Sequence, residues 1–537
     1  LRESADTTKP ESAQVTEEAA FMSAIPQEAV QREPTGAAGA YVSLPGKGAA
    51  GKESGGIPSG LDEARRILKR KAGLDESFDL IMREMVFGSK RTGILYLNGF
   101  AKDEVLTDII ERLTYAGEQS VEPDTFKVFY RNLLPHIQVD KVDKLDDLIG
   151  KVLAGACGLL IEGETTALAV DAKSYPSRST EEPDLERVVR GSRDGFVETL
   201  MTNVTLVRRR LRDPALRLEA VQVGERTKTD VCLAYIRDIA DPGLVEAVRD
   251  KIRSVRIEGI PLGEKQLEEM LVAKGWNPYP LVRYSERPDV VAVHLLEGHV
   301  AVFADTSPSA MILPATLFHH VQHVEEYRQS PVVGTYLRWV RFFGMLASVF
   351  LLPLWFLMAV HPELKPSGLE FIGPQKNGHV PLLLQFLLAE LGIDLMRMAA
   401  VHTPTPLATA MGLVAAILIG DIAVKTGLFT NEVIMYLAVA AIGQFATPSY
   451  ELGMANRLVR LTLLVAAAVF KVPGLVIGTT LWIVFLALQR SYNSPYLWPF
   501  IPFNGKALRE ILIRRTTPVM DVRPSLTKTR DSSRQPG

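Results

Sequence analysis

Three ionisable residues stand inside an apolar stretch of the 537-residue chain, Leu387-Leu-Ala-Glu390-Leu-Gly-Ile-Asp394-Leu-Met-Arg397. At 100° per residue the two acids, four apart, and the arginine, three further on, share one face of a helix. Ionisable groups at bilayer depth are costly, so they face a polar interior or one another. Two arrangements fit the spacing. Either Asp394 and Arg397 neutralise each other while Glu390 lines a polar path or gate, or the group is a purely structural intramembrane ion pair. Asp421 and Lys425 form an i,i+4 pair near the end of another apolar run. Thr447-Pro448-Ser449-Tyr450-Glu451 breaks a third run, and Thr447, Ser449 and Glu451 extend the candidate ion pathway.

Other reactive types are poorly placed for chemistry. Gly46-Lys-Gly-Ala-Ala-Gly51-Lys52-Glu53 approaches a phosphate loop, but Glu53 stands where a magnesium-binding hydroxyl belongs and no strand precedes it. His319, His320 and His323 beside Glu325 and Glu326 have a spacing that could bind a metal, yet no third ligand or general base surrounds them. They read as a solvated linker helix. Cys157 and Cys232 each lie in an apolar strand and are expected to pack as small buried residues. No catalysis, cofactor or metal is expected.

The elements that hold these groups divide sharply. Acidic and basic residues nearly balance, 62 against 60, for a net charge of −2, which argues against a globally basic nucleic-acid binder. Two cysteines exclude a disulfide scaffold and a four-cysteine zinc site. Charge is concentrated in the first 340 or so residues, and the chain then turns apolar. Phe342–Val360 carries no charge and covers about 28 Å as a helix, close to the roughly 30 Å of bilayer hydrocarbon. Pro381–Leu395, Pro406–Val424, Val433–Thr447 and Leu458–Leu488 follow, with breaks at Pro404, Pro406, Pro448 and Pro473. The last run is one bent span or two short ones, with Gly474 and Gly478 spaced for close helix contact. The expectation is a polytopic helical membrane domain of four to six spans over 331–503. Arg338 and Arg341 before it and a basic tail over 504–537 put both ends in the cytoplasm, which favours an even count. No secretory leader is expected, because no basic segment precedes an apolar stretch near the start.

Residues 1–60 are rich in Ala, Gly, Pro, Glu and Ser and are expected to be a disordered tail. A cytoplasmic α/β domain over 61–330 follows, built from two small α/β subdomains near 75–185 and 215–315. Hairpins are expected at Cys157–Val170, around Glu-Gly-Glu, and at Val290–Phe303. Thr92–Leu97 and Thr229–Ile236 read as strands. Helices are expected over Lys102–Thr114, Ser192–Leu211, Pro242–Ser254, Gly263–Ala273 and Pro314–Arg328, the last leading to the membrane.

Several segments resemble the GerA family of spore-germination receptor A subunits. They are Arg190-Gly-Ser-Arg-Asp-Gly-Phe-Val-Glu-Thr-Leu-Met-Thr-Asn203, Arg226-Thr-Lys-Thr-Asp230, Tyr284-Ser-Glu-Arg-Pro-Asp289 and Leu296-Glu-Gly298. Arg397, Gly412–Gly420, Pro448-Ser449 and Pro495-Tyr-Leu-Trp-Pro-Phe500 continue the match, which covers about residues 75–505. Within the family, Val401-His-Thr-Pro-Thr-Pro-Leu-Ala-Thr-Ala-Met-Gly412 and the tail Arg523-Pro-Ser resemble a sporulation-operon paralogue. The resemblance implies a spore inner-membrane protein, a homo-oligomer that forms a channel for monovalent cations and amplifies germination. Its partners would be membrane lipid and other germination membrane subunits, with no nucleic acid. Glu390 and Asp394 would then face the cation path. The acids slightly outnumber the bases at depth, which favours cations over anionic dipicolinate. The alternative is a non-conducting accessory or scaffold for germination receptors or dipicolinate transport.

Overall fold

The computed structural model describes residues 55–115, 124–134, 138–174, 186–272, 275–368, 372–375, 378–402, 412–414, 422–516 and 521–534. The phosphate-loop-like Gly46–Glu53, Asp421, Pro404 and Pro406 lie outside them, as does the expected tail up to residue 54.

The α/β half is a structural duplication. Its first repeat runs α1 (Leu61–Ala72), β1 (Leu80–Phe87), β2 (Lys90–Leu97), α2 (Asp103–Thr114), α3 (Thr125–Val128), β3 (Val139–Val142), α4 (Leu145–Leu153), β4 (Ala156–Ile161) and β5 (Ala167–Asp171). The second runs α5 (Leu200–Arg210), β6 (Leu216–Val223), β7 (Thr229–Ile236), α6 (Pro242–Ser254), α7 (Glu264–Leu271), β8 (Arg283–Ser285), α8 (Pro288–Leu296), β9 (Val300–Ala304) and β10 (Ala310–Leu313). Each sheet has five strands, ordered β1-β2-β4-β5-β3 in one and β6-β7-β9-β10-β8 in the other, and every pairing is antiparallel. Strand for strand, this is the same path twice.

Helices cover both faces of each sheet, so the inner strands are apolar throughout: β4 and β9 are buried along their whole length. In the first repeat α1 and α4 close one face, through Leu61, Leu68, Leu148 and Val152. Leu106, Ile109 and Leu113 of α2 close the other, with Phe129. In the second, α5 and α8 close one face and α6 and α7 the other.

The hairpin expected at Cys157–Val170 is β4–β5, paired Cys157 to Val170. The hairpin expected at Val290–Phe303 is not formed. Pro288 takes the first turn of α8, whose pre-set φ starts a helix, and Asp289 follows it there. Valine prefers strands, but Val290, Val291, Ala292, His294 and Leu295 are all buried, so no alternation exposed the true period. The counterpart of β4–β5 is β9–β10, paired Val300 to Leu313. The helix expected from Ser192 begins only at Leu200. The single helix expected over Pro314–Arg328 is two, α9 (Leu317–Val321) and α10 (Val324–Arg328).

A helical half follows: α11 (Pro331–Val360), α12 (Leu382–His402), the short α13 (Ala423–Lys425), α14 (Asn431–Phe445) and α15 (Tyr450–Leu488). Pro331–Val360 and Tyr450–Leu488 are long and apolar enough to cross a membrane, and Asn431–Phe445 is a shorter apolar helix. Leu352, Trp355, Phe386, Ala389, Val433, Leu437 and Leu464 form their common core. Gly443 lets α14 cross α11 closely, since a Cβ there would lie 2.3 Å from the Gly344 carbonyl oxygen.

α15 is broken at Lys471, whose φ of 54° is left-handed and lies outside any helix. The arms 450–470 and 472–488 fold back on each other. A Cβ on Gly474 would lie 2.1 Å from the Ala466 carbonyl, and one on Gly478 would lie 2.8 Å from Leu463. The last apolar run is thus an antiparallel helical hairpin with small residues at its seam. Both of its feet stand on the second repeat: Tyr279 receives a hydrogen bond from Trp482 at 2.6 Å and donates to Asn456 at 3.2 Å. Strands β11 (Arg490–Ser491) and β12 (Ser494–Pro495) and helix α16 (Gly505–Leu512) complete the chain. Residues beyond 520 lie along the second repeat: Arg523 and Thr527 donate to the Leu296 and Glu297 carbonyls.

Candidate functional site

Glu390 is sealed. Its carboxylate lies 2.9 Å from Arg457 Nη2 and 2.7 Å from Arg460 Nε, and all three side chains are at most 2% exposed. Arg457 also donates to the Glu390 carbonyl at 2.5 Å and pairs with Asp394. Arg460 reaches further, donating to the Ser348 carbonyl of α11 at 2.7 Å and to Gln444 of α14 at 3.5 Å. One guanidinium thereby ties α11, α12 and α14 to the first arm of α15. A buried charge is tolerable only when paired and hydrogen-bonded; every charge here is paired, while Glu390 Oε1, Arg457 Nε and Arg460 Nε make no hydrogen bond of good geometry.

Two expectations need correction. Asp394 does not neutralise Arg397; its ionic partner is Arg457. Arg397 instead lies 2.7 Å from Met454 Sδ and over the rings of Phe445 and Tyr450, at 5.2 and 6.0 Å from their centroids. Nor does Glu390 line an open path, since two arginines enclose it. Two guanidiniums face the two carboxylates here and Arg397 lies near enough to act on Arg457, so the acids do not outnumber the bases. Asp394 differs from Glu390: its side chain is 36% exposed. It opens on a helix whose outward residues, Leu384, Leu388, Leu391, Leu395 and Met398, are exposed and apolar.

Arg457 and Arg460 are the functional residues that sequence reading missed. Arg460 lay inside the apolar run that begins at Leu458, and Arg457 lay one residue before it. The available signal was their spacing: two arginines three apart on a helix are a natural match for acids four apart on a facing one.

Thr447, Ser449 and Glu451 lie at a helix start. Ser449 Oγ accepts from the Leu452 N–H at 3.2 Å and donates to Glu451 at 3.0 Å, as an N-cap does. Thr447 is buried and donates to the Gly443 carbonyl at 3.4 Å. The Ser449 N–H donates to the His320 carbonyl, so this cap sits against the α/β half. Pro448 precedes the cap and Pro473 follows the Lys471 turn.

The junction expected to be a solvated linker is buried. Glu326 is inaccessible and pairs with Arg338 at 2.7 Å and with Arg341. Arg338 also donates to the carbonyls of Glu510 and Ile511, and Trp339 donates to that of Leu512. His323 caps α10 by accepting from the Glu325 N–H at 3.1 Å. Burial pushes His323 down to about 4. His294, His299 and His319 stack with ring centroids 5.0 to 5.7 Å apart. Burial lowers all three, His299 to about 4. No group of three metal-ligating side chains converges among the described residues. Cys157 and Cys232 are fully buried, and burial pushes the Cys157 thiol up to about 12.

The class of protein is thus a duplicated antiparallel α/β unit joined to an apolar helical bundle with a buried ion-pair network. The sequence profile described as Bacillus/Clostridium GerA spore germination protein matches residues 67–526, and the chain belongs to this family. It is 50% identical over 468 residues to stage V sporulation protein AF of Bacillus subtilis (strain 168), covering 87% of this chain and 95% of that one. It is 28% identical over 479 residues to spore germination protein KA of the same organism, covering 88% of each. The crystal structure of the N-terminal domain of the A subunit of the Bacillus megaterium spore germinant receptor GerK3 matches 49% of this chain and 98% of its own. That match has 26% identity and a TM-score of 0.36.

Proposed function

We propose that this chain is a multi-pass protein of the spore inner membrane and a subunit of an oligomeric channel that releases monovalent cations and amplifies germination. The α/β half and the C-terminal segment face the cytoplasm, beside other germination membrane subunits, which calls for an even number among four to six spans. No catalytic step is involved. The reading rests on the partly exposed Asp394 carboxylate on the apolar outer face of α12. A carboxylate turned to lipid is costly, so that face calls for a neighbouring copy and for water between the two. Glu390 has a different role: it fastens four helices and leaves Asp394 as the carboxylate beside the path.

Conductance of the purified protein in planar bilayers, with ion substitution, tests this. Asp394→Asn is expected to remove most of the cation conductance while membrane insertion and abundance stay unchanged. Unchanged flux takes Asp394 out of the path. The rival is a non-conducting accessory or scaffold for germination receptors or dipicolinate transport. It is favoured by the sealed Glu390 and by the two guanidinium groups that enclose it. Wild-type protein that inserts and conducts nothing would establish that rival, and an anion-selective current would point to dipicolinate.

A further inference from the structure

Where the helical half meets the α/β half, large apolar side chains stand in the open. Val332, Tyr336, Val340 and Phe343 form a stripe along the first turns of α11, with Trp339 beside it, and all are exposed. At 1.5 Å per residue α11 is about 45 Å long, some 15 Å more than the hydrocarbon core, so these turns lie at the level of the headgroups. Phe500, Ile501, Phe503 and Ile513 are exposed at the same level. Phe500 is fixed there by its ring contact with Phe318, which in turn meets Phe342 at the start of the apolar stretch. Trp276 projects fully from the second repeat, one residue before Asn277, which bonds Gln489 at the foot of α15.

The stripe and Ile513 line a groove of about 660 Å³ with Arg514 at its edge. Helix α16 is pinned beside it through the carbonyls held by Arg338 and Trp339. It buries Ala507 and Ile511 and exposes Lys506 and Arg509. Neither exposed cation has a carboxylate within 4 Å among the described residues, whereas Arg515 lies 3.7 Å from Glu510. Aromatic rings at headgroup depth beside unpaired cations match the two parts of an acidic phospholipid.

We infer that this collar is a binding surface for anionic phospholipid: the groove holds acyl chain and Lys506 and Arg509 hold the phosphate headgroup. The inference rests on the membrane reading above and names a lipid class for it. The full-length protein is placed in nanodiscs of phosphatidylcholine with a minor share of phosphatidylglycerol, one or the other brominated on its acyl chains. Quenching of Trp339 is read as the difference from Trp339→Phe. Brominated phosphatidylglycerol is expected to quench Trp339 more strongly than brominated phosphatidylcholine at equal mole fraction. Lys506→Gln and Arg509→Gln, both at exposed positions, are each expected to cut that preference about five-fold. Equal quenching by the two lipids overturns the anionic preference, and so does a preference that survives the double variant. No quenching by either lipid overturns the collar while leaving the membrane reading standing. A chain that does not stay in the nanodisc defeats the membrane reading itself.

Discussion

The first α/β repeat closes both faces of its sheet with its own helices, whereas the second gives part of one face to the helical half. The face of β7, β9 and β10 that α6 and α7 cover also takes Leu452, Ala455 and Leu486 from the feet of α15. The corresponding face of β2, β4 and β5 packs on α2 and residues 126–134. The second repeat also carries the buried histidines, the C-terminal segment and the Glu326–Arg338 junction. One topology, used twice, has therefore been specialised unequally. The outer copy is tied to its neighbour through residues 76–79, by Arg208–Asp79, Arg217–Glu76 and the Phe78 N–H to Leu218 carbonyl bond, and the inner copy is part of the helical half's foundation.

Breaking the tie between the copies should have the largest effect. Arg208 of α5 and Asp79, just before β1, pair at 2.9 Å with both side chains almost inaccessible. Asp79→Ala strands a buried guanidinium at a cost of about 3–5 kcal/mol. Thermal unfolding of the variant should show the first repeat melting separately and earlier, and a single unshifted transition would mean that the copies do not depend on this pair.

Acid should come next, and it should act on the second repeat. His299 and His323 sit near 4 when folded and near 6.5 when unfolded, so the unfolded state binds more protons between those values. Their contribution is fully present above about pH 6.5 and is lost as pH falls toward 4. Hydrogen exchange of β9 and α9 should accelerate over that window before β4 does. Simultaneous loosening of both sheets would remove the histidines as the cause.

A smaller effect is expected at the foot of the hairpin. Tyr279→Phe leaves the Trp482 N–H and the Asn456 amide short of a buried partner, at about 1–3 kcal/mol. The loss should appear as faster exchange at both feet of α15 with the first repeat unchanged.

How much of this was legible in sequence depended on whether a pattern was local. β4–β5 was readable because Glu162-Gly163-Glu164 marks its turn between two apolar runs, and α6 because Asp241 and Pro242 cap it. β1 went unread, since its burial follows no clean alternation. α8 was misread because its exposed positions, Val293 and Leu296, are as apolar as its buried ones, so its sequence shows neither period. At the site, the shared face of Glu390 and Asp394 followed from spacing alone. Their partners did not: Arg457 and Arg460 arrive from 63 to 70 residues away, and only the packing of α15 against α12 brings them there.

The turn at Lys471 carries a cost during biogenesis. Its ammonium group stands at the far tip of two apolar arms, close enough to Glu363 for their charges to interact. In the proposed orientation, with the α/β half in the cytoplasm, a cation on that side opposes the usual retention of basic residues in the cytoplasm. In that orientation the pair of arms is expected to cross together, hauling the lysine through by the hydrophobicity of both flanks, because either arm alone would leave its partner stranded on the wrong side. Truncating the chain between the arms should trap the nascent protein at the translocation machinery instead of yielding a shorter, properly oriented product.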